Sequence, residues 1–185
     1  VVALSRDEIV EAARGLLAER GLAGLTMRRL AERLGVQPGA LYYHVASKQD
    51  LLAAVAAEIL ERAQIATHDP ARAAEELRAA LLPIRDGAEV MSFVNAFRPD
   101  ALRPLRMLER AFPLPAPQAR WAADTLVHYV LGFVAEEQNQ AELARARIRQ
   151  PAPDPQPVEE AFRFGVDVIL RGLPPGGSAS APTSS

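Results

Sequence analysis

The chain contains no cysteine. Disulfides and thiolate metal sites are therefore excluded, and nothing points to an oxidising compartment. Aromatic residues are scarce, 5% against a hydrophobic content of 49% over 185 residues, so burial must be carried by Ala, Leu and Val. No apolar run reaches the roughly 18 residues that cross a bilayer as a helix. The start of the chain has no basic-then-apolar leader pattern, and the expectation is a cytoplasmic protein without a membrane partner. Histidine is limited to His44, His68 and His128, none in a Ser/His/Asp or HExxH setting, and no glycine-rich phosphate loop is present. The expectation is accordingly no enzyme, no cofactor and no metal. A bulk basic field is missing too. Net charge is −2, and the first fifty residues carry seven basic residues against six acids. Any nucleic-acid binding has to come from local placement of charge.

What the chain does have is helical punctuation. Ser5 and Glu8 form an S-x-x-E capping box, with Leu4 and Ile9 as its staple. Apolar residues at Ile9, Ala12, Ala13, Leu16 and Leu17 then predict a helix over 6–20, which Gly21 stops. Thr26 caps a shorter helix that buries Leu30, Ala31 and Leu34 and ends at Gly35. Pro38 suits the first turn of a third helix over 38–44, where its missing N–H is no loss. Ser47 and Asp50 start a fourth, with Leu51, Leu52, Val55, Ile59 and Leu60 as its apolar positions. Further helices are predicted over 71–84, from Asp100 through Phe112, over 118–144 and over 158–171. Asp86-Gly87 marks a break. The segment 149–157 reads as a mobile Pro-rich loop, and 174–185 has nothing to bury and reads as a disordered tail. With no strand signal, the fold class is all-α. Its parts are a helix-turn-helix domain over 1–46, a linking helix over 47–66, and a larger helical effector-binding and dimerisation domain over 67–173.

Two short helices joined by a tight glycine turn expose the N-terminal half of the second, the arrangement that enters a major groove. Here that end is Gln37, Pro38, Gly39 and Ala40, followed by Tyr42, Tyr43, His44 and Lys48. The small residues permit close approach. The hydroxyls of Thr26 and the tyrosines, with His44 and Lys48, offer hydrogen bonds to phosphates, and Arg28 on the preceding helix reaches a base or a phosphate. The same pattern also fits a small helical subdomain with two surface tyrosines, or with Tyr42 half in the core.

Residues 5–60 resemble the N-terminal domain of the tetracycline-repressor family. The resemblance rests on GLAGLTMRRLAERLGVQPGALYYHVASKQDLL at 21–52, above all on its end, LYYHVASKQDLL. It implies a DNA-binding domain joined through a fourth helix to an effector-binding domain, with Thr26, Arg28, Gln37, Tyr42, Tyr43, His44 and Lys48 at the usual positions of DNA contact. The C-terminal part is similar to the tetracycline repressors themselves in ALLPIRDGAEV, HYVLGFVAEEQ and EEAFRFGVDVILRGL. In those proteins a histidine coordinates the drug's magnesium; it falls here at Met91, and a thioether is a poor ligand for a hard cation. A second drug-contacting histidine falls at Gln64, and an asparagine near Ala73. Only Glu136, for a carboxylate on the metal's water shell, and His128, for a histidine, are retained.

The expected effector is therefore a small, largely apolar molecule and not magnesium-tetracycline. Its pocket is expected around Gln64, Leu77, Met91, Phe93, Val94, Asn95, Phe97, His128, Phe133 and Glu136, each of which fits bundle core or surface equally well. The helix over 118–144 is apolar almost all round at 126–135, and the last helix has more than one apolar face. Both need cover from outside one subunit. In the family they pair with their twofold mates, so the expected partners are a second copy of the chain, a palindromic double-stranded DNA operator and the small effector. A repressor is the leading expectation. An activator of the same fold, or a ligand-binding helical protein with weak DNA binding, remains open at this point.

Overall fold

The computed structural model describes residues 4–148 and 155–174. Every regular element among them is helical: α1 Arg6–Gly24, α2 Met27–Leu34, α3 Pro38–His44, α4 Lys48–Ala63, α5 Pro70–Leu81, α6 Gly87–Phe97, α7 Arg103–Met107, α8 Gln118–Arg145 and α9 Pro155–Arg171, with 3-10 turns at Pro99–Leu102 and Leu108–Ala111. The mobile-loop expectation for 149–157 falls largely outside the described residues, as does the tail beyond 174; residues 155–157 belong to α9.

The predicted caps form as hydrogen bonds. Ser5 Oγ accepts from the Glu8 N–H while Glu8 Oε2 accepts from the Ser5 N–H at 2.8 Å, and the bonds from the Ser5 N–H and hydroxyl hold the Glu8 carboxyl below its ordinary pKa. The Thr26 and Ser47 side chains accept from the N–H three residues on at α2 and α4, and Asp69, which is not among the predicted caps, does so at α5. Gly21 takes the predicted left-handed φ of 66°, but the chain re-enters helical geometry for one more turn, to Gly24. The α1, α2 and α3 helices close over Ile9, Leu17, Leu25, Leu30 and Leu41, and all five are fully buried. Nearly the whole of α4 from Leu51 to Leu60 is buried as well, because it packs against α1 on one side and against α5 and α6 on the other.

The structure departs further from the predicted elements in three places. The helix expected over 71–84 begins at Pro70 and ends at Leu81. The single helix expected from Asp100 is cut into a 3-10 turn, α7 and a second 3-10 turn, since Pro104 lacks an N–H and its ring obstructs the preceding turn. Asp100 lies inside the first of these and caps nothing. The α6 helix has no counterpart among the predicted elements, although Val90, Met91 and Val94 give it a buried face at helical spacing.

In the C-terminal part α8 runs through the centre, burying Ala122, Leu126, Val130 and Val134 among others, against α5, α6 and α9. It is not covered all round: Trp121 is 61% exposed, and Thr125, His128 and Gly132 share its outward stripe. The α9 helix likewise buries Phe162 and Val166 and leaves Phe164 and Val168 70% and 53% exposed. Arg78 pins α9 to α5 and α8. Its Nε and Nη2 donate to the two oxygens of Glu137 at 2.8 and 2.6 Å, and its Nη1 donates to Glu159 at 2.6 Å. The guanidinium also lies 5.0 Å from the Phe162 ring centroid. Its hydrogen bonds to Glu137 hold it more firmly protonated than usual, against the cost of burial.

The α8 and α9 helices approach closely beside this cluster, where the Tyr129 hydroxyl donates to the Phe162 carbonyl at 3.0 Å. A Cβ at Gly165 would overlap that hydroxyl and the ring carbon bearing it. Gly165→Ala is expected to destabilise the fold by about 1–3 kcal/mol of overpacking, less the small gain in helix propensity. Urea unfolding measures the loss. Adding Tyr129→Phe should recover part of it, because only the hydroxyl is removed.

Candidate nucleic-acid interface

The α2–α3 turn is built from the backbone outward. Gly35 ends α2 at φ 67°, ψ 28°, where the Val36 N–H returns to the Ala31 carbonyl at 3.0 Å. Only Gln37 then precedes Pro38. As N-cap residue, Gln37 makes no side-chain capping bond, so its amide is not committed to the helix. Leu41 and Val45, both essentially buried, fix the inner face of α3. Its outer face is consequently free, with Gln37, Pro38, Gly39 and Ala40 all exposed.

Tyr42 is 50% and Tyr43 89% exposed. Tyr43 meets His44 edge-on with ring centroids 5.3 Å apart, and His44 is half-buried. Thr26 Oγ1 accepts from the Arg29 N–H at 3.2 Å, which leaves its own hydroxyl hydrogen available to donate. Arg28 stands out from α2 and pairs with Glu32 at 2.9 Å. Lys48, half-buried at the start of α4, donates one hydrogen bond to the Leu22 carbonyl at 3.4 Å. Of these ten residues, Pro38, Gly39, Ala40, Tyr42, Tyr43 and His44 lie on α3 itself, and the donors available among the ten are of the kind that suits phosphate oxygens and base edges.

The residues expected around an effector are not gathered into one cavity. Leu77 and Met91 are fully buried. Leu77 borders a wholly apolar seam between α5, the α7 region and α8 that is too narrow for a water molecule. Asn95 and Phe97 are half-buried on α6, and Phe97 tilts against the exposed Phe93 at 4.7 Å. His128 faces outward on α8, and Gln64 is an exposed left-handed residue at the end of α4. Phe133 packs edge-on against Phe162 at 5.2 Å. Glu136, exposed beside it, accepts from Gln140 at 3.1 Å, and Phe133 and Glu136 share a surface cleft between α8 and α9.

The sequence pattern missed the joint between this head and the helices behind it. The Asp86 carboxylate accepts from the Leu22 N–H at 2.7 Å, a part-buried bond across 64 residues of chain. Arg98 Nη1 donates to Asp50 at 2.7 Å. These residues bracket α6, so one end of that helix grips the head and the other grips the start of α4. Gln138 on α8 fixes the loop before α6 by donating to the Leu81 and Ile84 carbonyls and accepting from the Ala88 N–H. The one available clue was Asp86-Gly87, readable only as a break.

A tri-helical head with an exposed α3 on a helical body defines a helix-turn-helix regulator. The family comparison agrees with the geometry. Residues 9–55 match the model of "Bacterial regulatory proteins, tetR family", and residues 67–160 match "Tetracyclin repressor-like, C-terminal domain". The chain belongs to the tetR family, a family of DNA-binding regulators and not of enzymes. It is 34% identical to the tetracycline repressor protein class D of Escherichia coli over 92% of this chain and 89% of that one. Among solved structures it is similar to BioQ of Mycobacterium smegmatis, with a TM-score of 0.82, 36% identity and coverage of 94% and 99%. BioQ solved with its double-stranded DNA operator gives a TM-score of 0.71 at 37% identity, covering 91% and 97%. TetR-Q116A of Acinetobacter baumannii AYE in complex with minocycline gives 0.74 at 30%, covering 91% and 96%.

Lys48→Ala is expected to weaken duplex binding about equally for all sequences and to flatten the salt dependence by about one unit of slope, the signature of one lost phosphate contact. Fluorescence anisotropy over a salt series reads both effects.

Proposed function

We propose that the chain represses transcription as a twofold dimer on a palindromic operator and leaves it when a small, largely apolar effector enters the C-terminal domain. The observation that carries DNA binding is the free N-terminal end of α3, exposed from Gln37 to Ala40 while Leu41 and Val45 anchor the opposite face. Around it, Thr26, Tyr42, Tyr43, His44 and Lys48 supply backbone contacts, and Arg28 and Gln37 reach base edges. Dimerisation is supported by the exposed Trp121–His128 stripe on α8 and by Phe164 and Val168 on α9. Large apolar patches of this kind mark association surfaces. A twofold pairing presents its two α3 helices about one DNA turn, ~34–36 Å, apart.

The effector reading rests on the donor chemistry. Met91, at the position that the resemblance gives to a magnesium-binding histidine, is wholly buried and offers only a thioether. The apolar seam beside Leu77, between α5, the α7 region and α8, is the interior that an effector would part. Displacing α6 pulls on Leu22 through Asp86 and on α4 through Arg98, and so changes the spacing of the recognition helices. Coupling of this kind amounts to ~1–3 kcal/mol and is reciprocal, so operator DNA weakens effector binding by the same factor.

Selection from random duplex DNA should return an inverted repeat with half-site centres one helical turn apart. Recovery of no preferred sequence would remove the reading. Val168→Glu places a charge in the proposed dimer surface. Sedimentation should show a monomer that retains its helical circular-dichroism signal and loses most operator affinity.

A further inference from the structure

Arg28 is held differently from the other arginines of the head. Arg33 spends a terminal nitrogen, Nη1, on Glu19, and Arg29 spends its own on the Gly24 carbonyl. Arg28 instead donates through Nε to Glu32 Oε1 at 2.9 Å, one helical turn along the same face of α2. Neither of its terminal nitrogens has a partner among the described residues. Both side chains are largely in solvent, 85% and 59% exposed, and an ion pair so placed adds little to stability. Glu32 is also the sole carboxylate of α2, and it lines one shallow cleft with Thr26, Arg28 and Arg29 on the face proposed to meet DNA. A carboxylate there repels phosphates, so its presence opposes binding unless it does something else.

Arginine reads guanine by placing two N–H groups on O6 and N7. With Nε occupied, the Arg28 guanidinium is left with its Nη1–Nη2 edge, a fork of the required spacing. Holding one edge of the group also fixes its plane, which removes part of the ordering cost of a bidentate contact. We propose that Glu32 is a positioning residue that sets base specificity. It presents the terminal fork of Arg28 to a guanine edge, and its charge disfavours duplex sites at which no guanine meets that fork. This rests on the DNA-binding reading above, and it adds a residue that opposes non-specific affinity in order to sharpen discrimination.

The test compares the full-length protein with Glu32→Ala and Glu32→Gln on the selected operator, on the operator with each G·C pair replaced in turn by A·T, and on an unrelated duplex. In the unsubstituted protein one symmetric pair of G·C positions should carry a penalty on the order of tenfold or more. In Glu32→Ala that penalty should fall several-fold while affinity for the unrelated duplex rises. Glu32→Gln keeps an acceptor for Nε without the charge, so it should restore the penalty and still bind the unrelated duplex more tightly. The idea is overturned by an undiminished penalty in Glu32→Ala, by a selected operator without such a G·C pair, or by equal weakening on every duplex, which marks a merely structural role. Failure of the unsubstituted protein to bind any duplex would instead remove the DNA-binding reading itself.

Discussion

The backbone of Leu22 is the joint on which the rest of the molecule depends. Its N–H is held by Asp86 from the C-terminal domain, and its carbonyl by Lys48 at the start of α4. A three-helix head has a small core and little surface to spend on docking. Two directed bonds to one residue fix its orientation where apolar contact alone would let it slide. The geometry tolerates no larger residue next door, because a Cβ at Gly21 would run into the Asp86 carboxylate and Gly21 itself sits at φ 66°. The α6 helix, gripping the start of α4 through Arg98 and Asp50, adds a second point to the fixture.

Much of this was legible in the sequence, and what was not follows a physical rule. Helices with side-chain caps and glycine or proline stops were readable because their signals are local. Ser5, Thr26, Ser47 and Gly35 act on residues within four positions of themselves, and α3 was placed at its observed bounds. The α6 helix was missed because Asp86 reads as a turn and its capping side chain is committed elsewhere, to Leu22. The split around Pro104 was underestimated because the leucine spacing through that segment continues to look helical. The exposure of Gln37 to Ala40 was recoverable because it follows from a buried Leu41 on the opposite face. The mutual placement of the residues expected around an effector was not. Whether Leu77, His128 and Phe133 share a cavity depends on how α5, α6 and α8 cross, which no local pattern encodes.

Arg78 shows how a long-range element is kept in register. The α9 helix follows a proline-rich connection and has apolar residues on more than one face, so burial alone would accept several rotations. A forked guanidinium engaging Glu137 and Glu159 at once, with Phe162 beneath it, accepts one. Ionic pairs with limited exposure gain little net stability after desolvation, and fixing register is the best-attested reason to keep them. The face that this rotation leaves outside carries Phe164 and Val168, the side chains on which the proposed dimer rests.

Gly39 brings a consequence of another kind. A Cβ there meets nothing within 4 Å, so no part of the protein requires the residue to be glycine. Helix propensity alone would favour alanine by up to about 1 kcal/mol. New side chains at this tip leave the fold untouched and, on the DNA-binding reading proposed above, would face the groove. The position separates the question of which operator is read from the question of whether the protein folds, and it is the place where this scaffold can be redirected to a different address at least structural cost.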